Sequence, residues 1–377
     1  MQTQNSFHPD YLGEVARRLK LRPYPHVRQF VIQHLFADTV RLLKLLHSYV
    51  PIDVVIGISY SGNQASIDEL RSLGIEVITP SYKELESIVL KTLKRRIEKA
   101  KNEDHKLILH EVGGYGIKAL HTPNNICDGV FIGALEITKQ GVWVAEALPN
   151  LSIPQFNVAQ TRLKEIEGKL VGEAVVAALD TIMREVGYAF VGRPALVCGY
   201  GWVGKGVAQS LKNKGMSVAV RDTDVVSLVE AAVDGFLPNR GNVLELPPAI
   251  VVGASGQCSI DSRLMDQLPH RCVLASGASK NHEIELPYLE SNCSTSTQIH
   301  PHIIEYKLRD QRTLYLVNNG FPVNFTSASV PDEIVEFLFA ECMMLVPLLL
   351  ENTWEPGTYT LPAEQEALPA EVWLDMR

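Results

Sequence analysis

Residues 195–224, ALVCGYGWVGKGVAQSLKNKGMSVAVRDTD, constrain this chain more than any other stretch. A short apolar run leads into Gly199-x-Gly201-x-x-Gly204, then a helix-like segment, then a second apolar run closing on Asp222. In a strand–turn–helix the first glycine allows the tight turn. The second lets the backbone approach a pyrophosphate, and the third lets the helix pack against the strand. The N–H groups and dipole at the helix start favour an anion. Trp202 and Val203 lie inside this turn. An acid ending the second strand binds ribose hydroxyls and repels a 2′-phosphate, so Asp222 favours NAD over NADP. Arg221 beside it is the type of residue that accommodates that phosphate. A degenerate fold that has lost its ligand is the alternative. Two later runs, AIVVGASGQCS and VLASGASKNHEIE, end in small residues. In a doubly wound sheet such ends lie over the dinucleotide. That nominates Ser255, Gly256 and Ser279 as cofactor contacts beside a plain turn reading.

The rest of the chain is organised around this unit. Before it, segments such as IDVVIGIS, IEVITPS, HKLILHEVGG, DGVFIGALEI and SIPQFNV alternate with helix-like ones such as FADTVRLLKLLHSY and ASIDELRSLG. Short apolar runs alternating with amphipathic segments predict an α/β fold with a largely parallel sheet. His34 reads as part of a helix. A long helical segment from Leu163 joins two lobes, and VPDEIVEFLFAECMMLVPLLLENTW reads as helix crossing back to the first. The expected organisation is 1–175, 176–328 (a Rossmann-type NAD domain) and 329–377 (returning helices).

Length fits two domains. The 35 basic and 43 acidic residues give a net charge of −8, which argues against a nucleic-acid binder, because phosphate contacts need clustered cations. The run KTLKRRIEKAKNEDHK interleaves both signs and reads as a solvated helix face. Six scattered cysteines without C-x-x-C spacing read as reduced, buried thiols of a cytoplasmic protein, with neither disulfides nor a metal site. HPH at 300–302 lacks an acid or cysteine at ligand spacing. The N-terminal segment has no apolar core of a signal peptide, and CMMLVPLLL is too short to span a bilayer, so no membrane partner is expected.

GYGWVGKGVAQSL resembles the NAD-binding motif of S-adenosylhomocysteine hydrolases. SGNQASIDELRSLGIEV, KLILHEVGG, IPQFNVAQTRLKEIEGKLVG, LYLVNNGFPVNF and EPGTYTLPAEQEAL follow in the family's order, from about Phe30 to Leu374. The resemblance implies a Rossmann-type NAD domain inserted in a discontinuous α/β substrate domain. It also implies oxidation of a ribose hydroxyl, elimination, hydration and re-reduction. It places His34, Glu111 (with Val112 as an insertion) and Lys164 on catalytic positions. Asp38 and Ser61 fall on substrate contacts, and Glu136, next to the position of the family's catalytic glutamate, is taken as a third substrate residue. Thr138 and Asn324 fall on cofactor contacts.

Other positions depart from that pattern. Ile137 replaces a catalytic glutamate, Gly168 and Lys169 replace an aspartate and asparagine, Ser279 and Val330 replace histidines, and Trp202 replaces an aspartate. The family's tail, which reaches a neighbouring subunit's NAD, has no counterpart before Arg377, which suggests an exchangeable cofactor. Lost acid–base groups, each contributing about 10²–10⁴-fold, argue against authentic S-adenosylhomocysteine hydrolysis. The expected function is an NAD-dependent oxidoreductase acting on a small polar or nucleoside-like substrate in a specialised biosynthetic pathway. One alternative is an oxidise–eliminate–reduce enzyme on another thioether or nucleoside, with Glu136 or Lys169 as new bases. The other is an NAD-bound, non-catalytic partner. Plainer readings make His34 a packed histidine and Lys164 a solvated helix residue. A homo-oligomer, with a dimer favoured, is expected from the family and from the apolar run EIVEFLFAECMMLVPLLL.

Overall fold

The computed structural model describes residues 9–127, 129–241, 243–327 and 329–377; residues 1–8, read above for a targeting signal, lie outside them. The chain divides into two compact units. One holds the described residues of Met1–Lys164 with Asp332–Arg377, and the other is Glu165–Pro331. The first cut therefore lies in the first turn of the helix Arg162–Glu185, earlier in the chain than position 175.

Strands β1 (Val27–Leu35), β2 (Ile52–Gly62), β3 (Glu76–Ile78), β4 (Lys106–Glu111), β5 (Phe131–Glu136) and β6 (Pro154–Asn157) belong to the first unit. The second unit has β7 (Pro194–Cys198), β8 (Ser217–Arg221), β9 (Leu237–Pro238), β10 (Ile250–Gly253), β11 (Cys272–Ser276), β12 (Cys293–His300), β13 (Ile303–Leu308) and β14 (Thr313–Val317). The last strand, β15 (Gly357–Thr360), pairs in parallel with β6 and completes the first unit's sheet.

The first sheet runs β15-β6-β5-β4-β1-β2-β3 and every pairing in it is parallel. The second runs β12-β13-β14-β11-β10-β7-β8-β9, parallel except for the antiparallel β12–β13–β14 edge. In each, the chain starts mid-sheet, builds outward to one side, then returns to build the other. This is doubly wound order, and ligands bind such sheets outside the carboxyl ends of the strands where the direction reverses. Those switch points lie between β1 and β4, and between β7 and β10. Interior strands such as β4 and β7 are near-continuous apolar runs because both faces are covered by helices.

Several sequence expectations change. His34 lies near the end of β1, not on a helix, because the apolar run FVIQHL continues the strand until Phe36 turns into the helix Ala37–Tyr49. The polar hairpin β12–β13 was not foreseen, nor was β15. Cys258 is exposed, while Cys127, Cys198, Cys272 and Cys342 are buried free thiols. The helix Asp332–Leu350 buries Phe337, Leu338, Met343 and Leu345 in the first unit's own core, so its apolar run no longer argues for a subunit interface. No helix among the described residues is long and apolar enough to cross a membrane.

Candidate functional site

At the second unit's switch point the backbone is shaped for close approach. Gly199 sits at φ +101°, and a Cβ there would come within 2.7 Å of the Ser255 nitrogen. A Cβ at Gly204 would lie 2.0 Å from the Gly199 oxygen, so only glycine lets the helix Trp202–Asn213 start this close to β7. A Cβ on Gly201 would meet nothing within 4 Å; the loop is open on that side. The N-cap Gly201 brings no side-chain cap to this helix start, the arrangement that suits an anion. The Asp222 carboxylate accepts hydrogen bonds from Tyr200 N at 2.6 Å and Asp224 N at 2.8 Å. It thereby braces the glycine turn while each oxygen keeps a lone pair for a ribose hydroxyl. Buried Asn324 donates to Ser329 Oγ at 2.7 Å, and its Oδ1 has no partner among the described residues. An open glycine cradle, an uncapped helix start and an orphaned amide oxygen fit a dinucleotide.

The other nominated residues of this unit play different parts. Gly256 N donates to Glu283 at 2.5 Å, and the Ser255 hydroxyl lies 2.9 Å from the same carboxylate. Glu283 is buried, and burial raises its carboxyl above the usual range. It holds the β10 turn from behind, so the Gly256 N–H is spent on it. Ser279 lies half-buried in the turn after β11. Trp202 packs on Gly168, where an added Cβ would come 3.0 Å from its own Cβ. The Val203 carbonyl faces Gly172, where a Cβ would lie 2.3 Å away. Val203 thus belongs to a backbone-to-backbone helix crossing.

The first unit's switch point is rich in side chains. Glu111 and Glu136 sit at matched register on β4 and β5, both fully buried. Glu111 accepts from Gly116 N at 2.6 Å and Ile117 N at 2.9 Å, anchoring the start of the helix Tyr115–His121. Glu136 accepts from the nitrogens of Gly113, Gly114, Ile137 and Thr138 and from the Thr138 hydroxyl. Burial raises its carboxyl to about 7, against these donors, which favour the anion. Thr138 Oγ1 donates to Glu136 and accepts from Gly113 N and Gly141 N. These three residues are turn braces. The Thr138 hydroxyl keeps no capacity for a nicotinamide.

Nearer the switch point, His34 Nδ1 meets the Ser61 hydroxyl, and its ring packs edge-on against Tyr60 at 5.8 Å. Tyr60 in turn packs edge-on against Tyr82 at 5.7 Å. Burial, and then the nearby Lys164 cation, lower His34 to about 4, so its imidazole is neutral at physiological pH. Lys164 is half-buried at the start of the helix Arg162–Glu185. Asp38, at the start of the helix Ala37–Tyr49, is raised by burial and lies beside Arg41, which pairs with Asp332 at 2.8 Å and Glu336 at 2.9 Å. Lys169 pairs with Glu165 at 3.0 Å on the surface of the second unit. His300 pairs with Glu185 at 2.8 Å, and no metal-ligand cluster occurs among the described residues.

Sequence reasoning missed Glu341. It is fully buried on the helix Asp332–Leu350, with Oε2 2.9 Å from the Thr161 hydroxyl. One acid inside an apolar helical run was the available signal.

The second unit is thus an NAD-binding domain of the doubly wound type. Residues 174–330 match the family described as S-adenosyl-L-homocysteine hydrolase, NAD binding domain. The chain is 30% identical over 172 residues to an adenosylhomocysteinase of Aeropyrum pernix, covering 45% of this chain and 41% of that protein. It is 29% identical over 258 residues to an S-inosyl-L-homocysteine hydrolase of Methanothermobacter thermautotrophicus, covering 66% and 61%. It is 29% identical over 355 residues to an adenosylhomocysteinase of Thermotoga maritima, covering 91% and 85%. The matches to the first two span less than two thirds of those proteins' length. The second unit thus carries the NAD-binding domain of the S-adenosyl-L-homocysteine hydrolase family, the rest of the chain is similar to that family's members, and the cofactor is NAD.

Proposed function

We propose that this chain is an NAD-dependent oxidoreductase acting at a hydroxyl or carbonyl carbon of a small polar or nucleoside-like substrate. The observation that carries this reading is the convergence of His34, Ser61 and Lys164 at the carboxyl-end rim of the first sheet, beside the turns that Glu111 and Glu136 brace. NAD, when bound, accepts or supplies the hydride. Gly199, Gly201, Gly204, Asp222 and Asn324 hold it. Lys164, once it has given a proton to solvent, takes the hydroxyl proton as the carbon is oxidised and returns it on reduction. Neutral His34, oriented by Ser61, hydrogen-bonds the substrate without adding a second cation. Tyr60 and Tyr82 offer aromatic rings to a planar base.

An eliminating enzyme would need further bases, and the two residues considered for that role are otherwise engaged: Glu136 in its nest of donors and Lys169 on the surface. Simple hydride transfer is therefore favoured. The test is to strip the protein of nucleotide, reload it with NAD and follow nicotinamide absorbance across a panel of hydroxyl-bearing nucleosides and polar metabolites. Turnover abolished by Lys164→Met supports the reading. Bound NAD without turnover on any member would leave a non-catalytic NAD-bound partner.

A further inference from the structure

The deepest ionisable group near Lys164 is not on the sheet at all. Glu341 is fully buried, and its Oε1 has no partner among the described residues. Its Oε2 faces Thr161 Oγ1, whose neighbours determine where the hydrogens lie. The hydroxyl oxygen is 3.0 Å from the Val158 carbonyl oxygen, 2.9 Å from Glu341 Oε2 and 3.2 Å from the Lys164 backbone nitrogen. The Lys164 N–H occupies one lone pair. With Glu341 ionised, the single hydroxyl hydrogen faces two acceptors and must leave one short. With Glu341 protonated, its O–H donates to Thr161 Oγ1 and the hydroxyl donates to Val158, so all three contacts are satisfied.

The surroundings agree with this count. The titratable and charged groups around Glu341 are Tyr11, Lys164 and Glu366, with Glu336 and Cys342 on its own helix and Glu136 beyond Cys342. Tyr11 donates its hydroxyl to the Pro369 carbonyl and offers Glu341 nothing. Burial, then the Glu366 charge, push Glu341 up to about 8, while Thr161 and Lys164 pull it down. Glu136 differs, because five donors converge on it.

We propose that Glu341 is a positioning residue for Lys164: a neutral carboxylic acid in the resting protein that draws Lys164 into an ion pair on ionising. The role assigned to Lys164 rests on the oxidoreductase reading above; the protonation state of Glu341 does not.

The test is a carbon-13 NMR titration of carboxyl-labelled full-length protein. Glu341 is assigned by the resonance lost in Glu341→Gln, or shifted in Glu341→Asp if the first variant does not fold. The expected midpoint lies near 8, moving up by about one pH unit in Lys164→Met as the cation is removed. A Glu341 midpoint in the ordinary carboxylate range, or one unmoved by Lys164→Met, overturns the proposal. Failure to find a substrate would sink the oxidoreductase reading and leave this titration unchanged.

Discussion

At the switch point between β7 and β10 the chain is stripped of side chains; at the one between β1 and β4 it is crowded with ionisable ones. The two sheets share their central order, β5-β4-β1-β2-β3 and β11-β10-β7-β8-β9, so the difference does not come from topology. In the second unit Gly199, Gly201 and Gly204 expose backbone N–H groups at a helix start, and the acids nearby, Asp222 and Glu283, are tied to the turns. In the first unit the turns are held by carboxylates that reach back to backbone N–H groups, as Glu111 and Glu136 do. One rim is built to receive a ligand's negative charge. The other supplies its own acids, so what it adds to a ligand is proton chemistry. A single architecture thus gives an anion cradle or an acid–base rim, depending on whether glycine or glutamate ends the central strands.

The largest expected effect tests the cradle. Gly204→Val forces side-chain atoms against the Gly199 carbonyl, and overpacking of this kind costs about 1–3 kcal/mol. NAD binding should fall below detection by calorimetry, while hydrogen exchange in β1, β2 and β4 stays as in the parent. Loss of protection in those strands would mean that the two rims are not separate devices. Next, Glu136→Leu orphans three backbone donors, the nitrogens of Gly114, Ile137 and Thr138, each costing about 1–3 kcal/mol, while Gly113 N keeps the Thr138 hydroxyl. Denaturant unfolding should show the first unit weakened and NAD binding preserved. An unchanged midpoint would remove Glu136 from the role of brace.

The pH dependence separates two groups on the same rim. His34 is lowered below its ordinary value, so between about 4 and its ordinary range the unfolded chain binds the extra proton. Its contribution to stability is present above that window and lost as pH falls through it; His34→Gln should flatten this acid limb. Glu341 is raised, so its contribution is fully present below the ordinary carboxyl range and declines as pH climbs to about 8. Glu341→Gln should flatten the alkaline limb alone. If both variants change the same limb, the two environments have been assigned wrongly. The smallest effect is expected for Asp222→Asn, which keeps the side chain's size but can accept from only one of the two backbone nitrogens, and without charge assistance. It should weaken NAD by about tenfold and narrow the preference over NADP.

The cradle was legible because backbone geometry dictates residue type: a strand followed by three glycines at that spacing leaves few other structures. The acid–base rim was legible only in part. Glu111 and Glu136 were visible as acids ending apolar runs, but whether such an acid braces a turn or faces a substrate depends on backbone atoms several residues away. His34 was misplaced because FVIQHLFADTV contains both a strand period and a helix period, and the boundary falls inside it. The β12–β13 hairpin escaped because CSTSTQIH is exposed almost throughout and shows no alternation of apolar residues. Glu341 was hidden in the opposite way. In an almost wholly apolar helix an acid reads as a surface position, and only the Thr161 contact shows it to be interior.

The most direct test of the division between the two rims is an NAD titration of stripped protein in three forms: parent, Lys164→Met and Gly204→Val. The account predicts equal affinity for the parent and Lys164→Met, and no binding for Gly204→Val. A Lys164→Met protein that loses NAD, or a Gly204→Val protein that keeps it, would contradict the account.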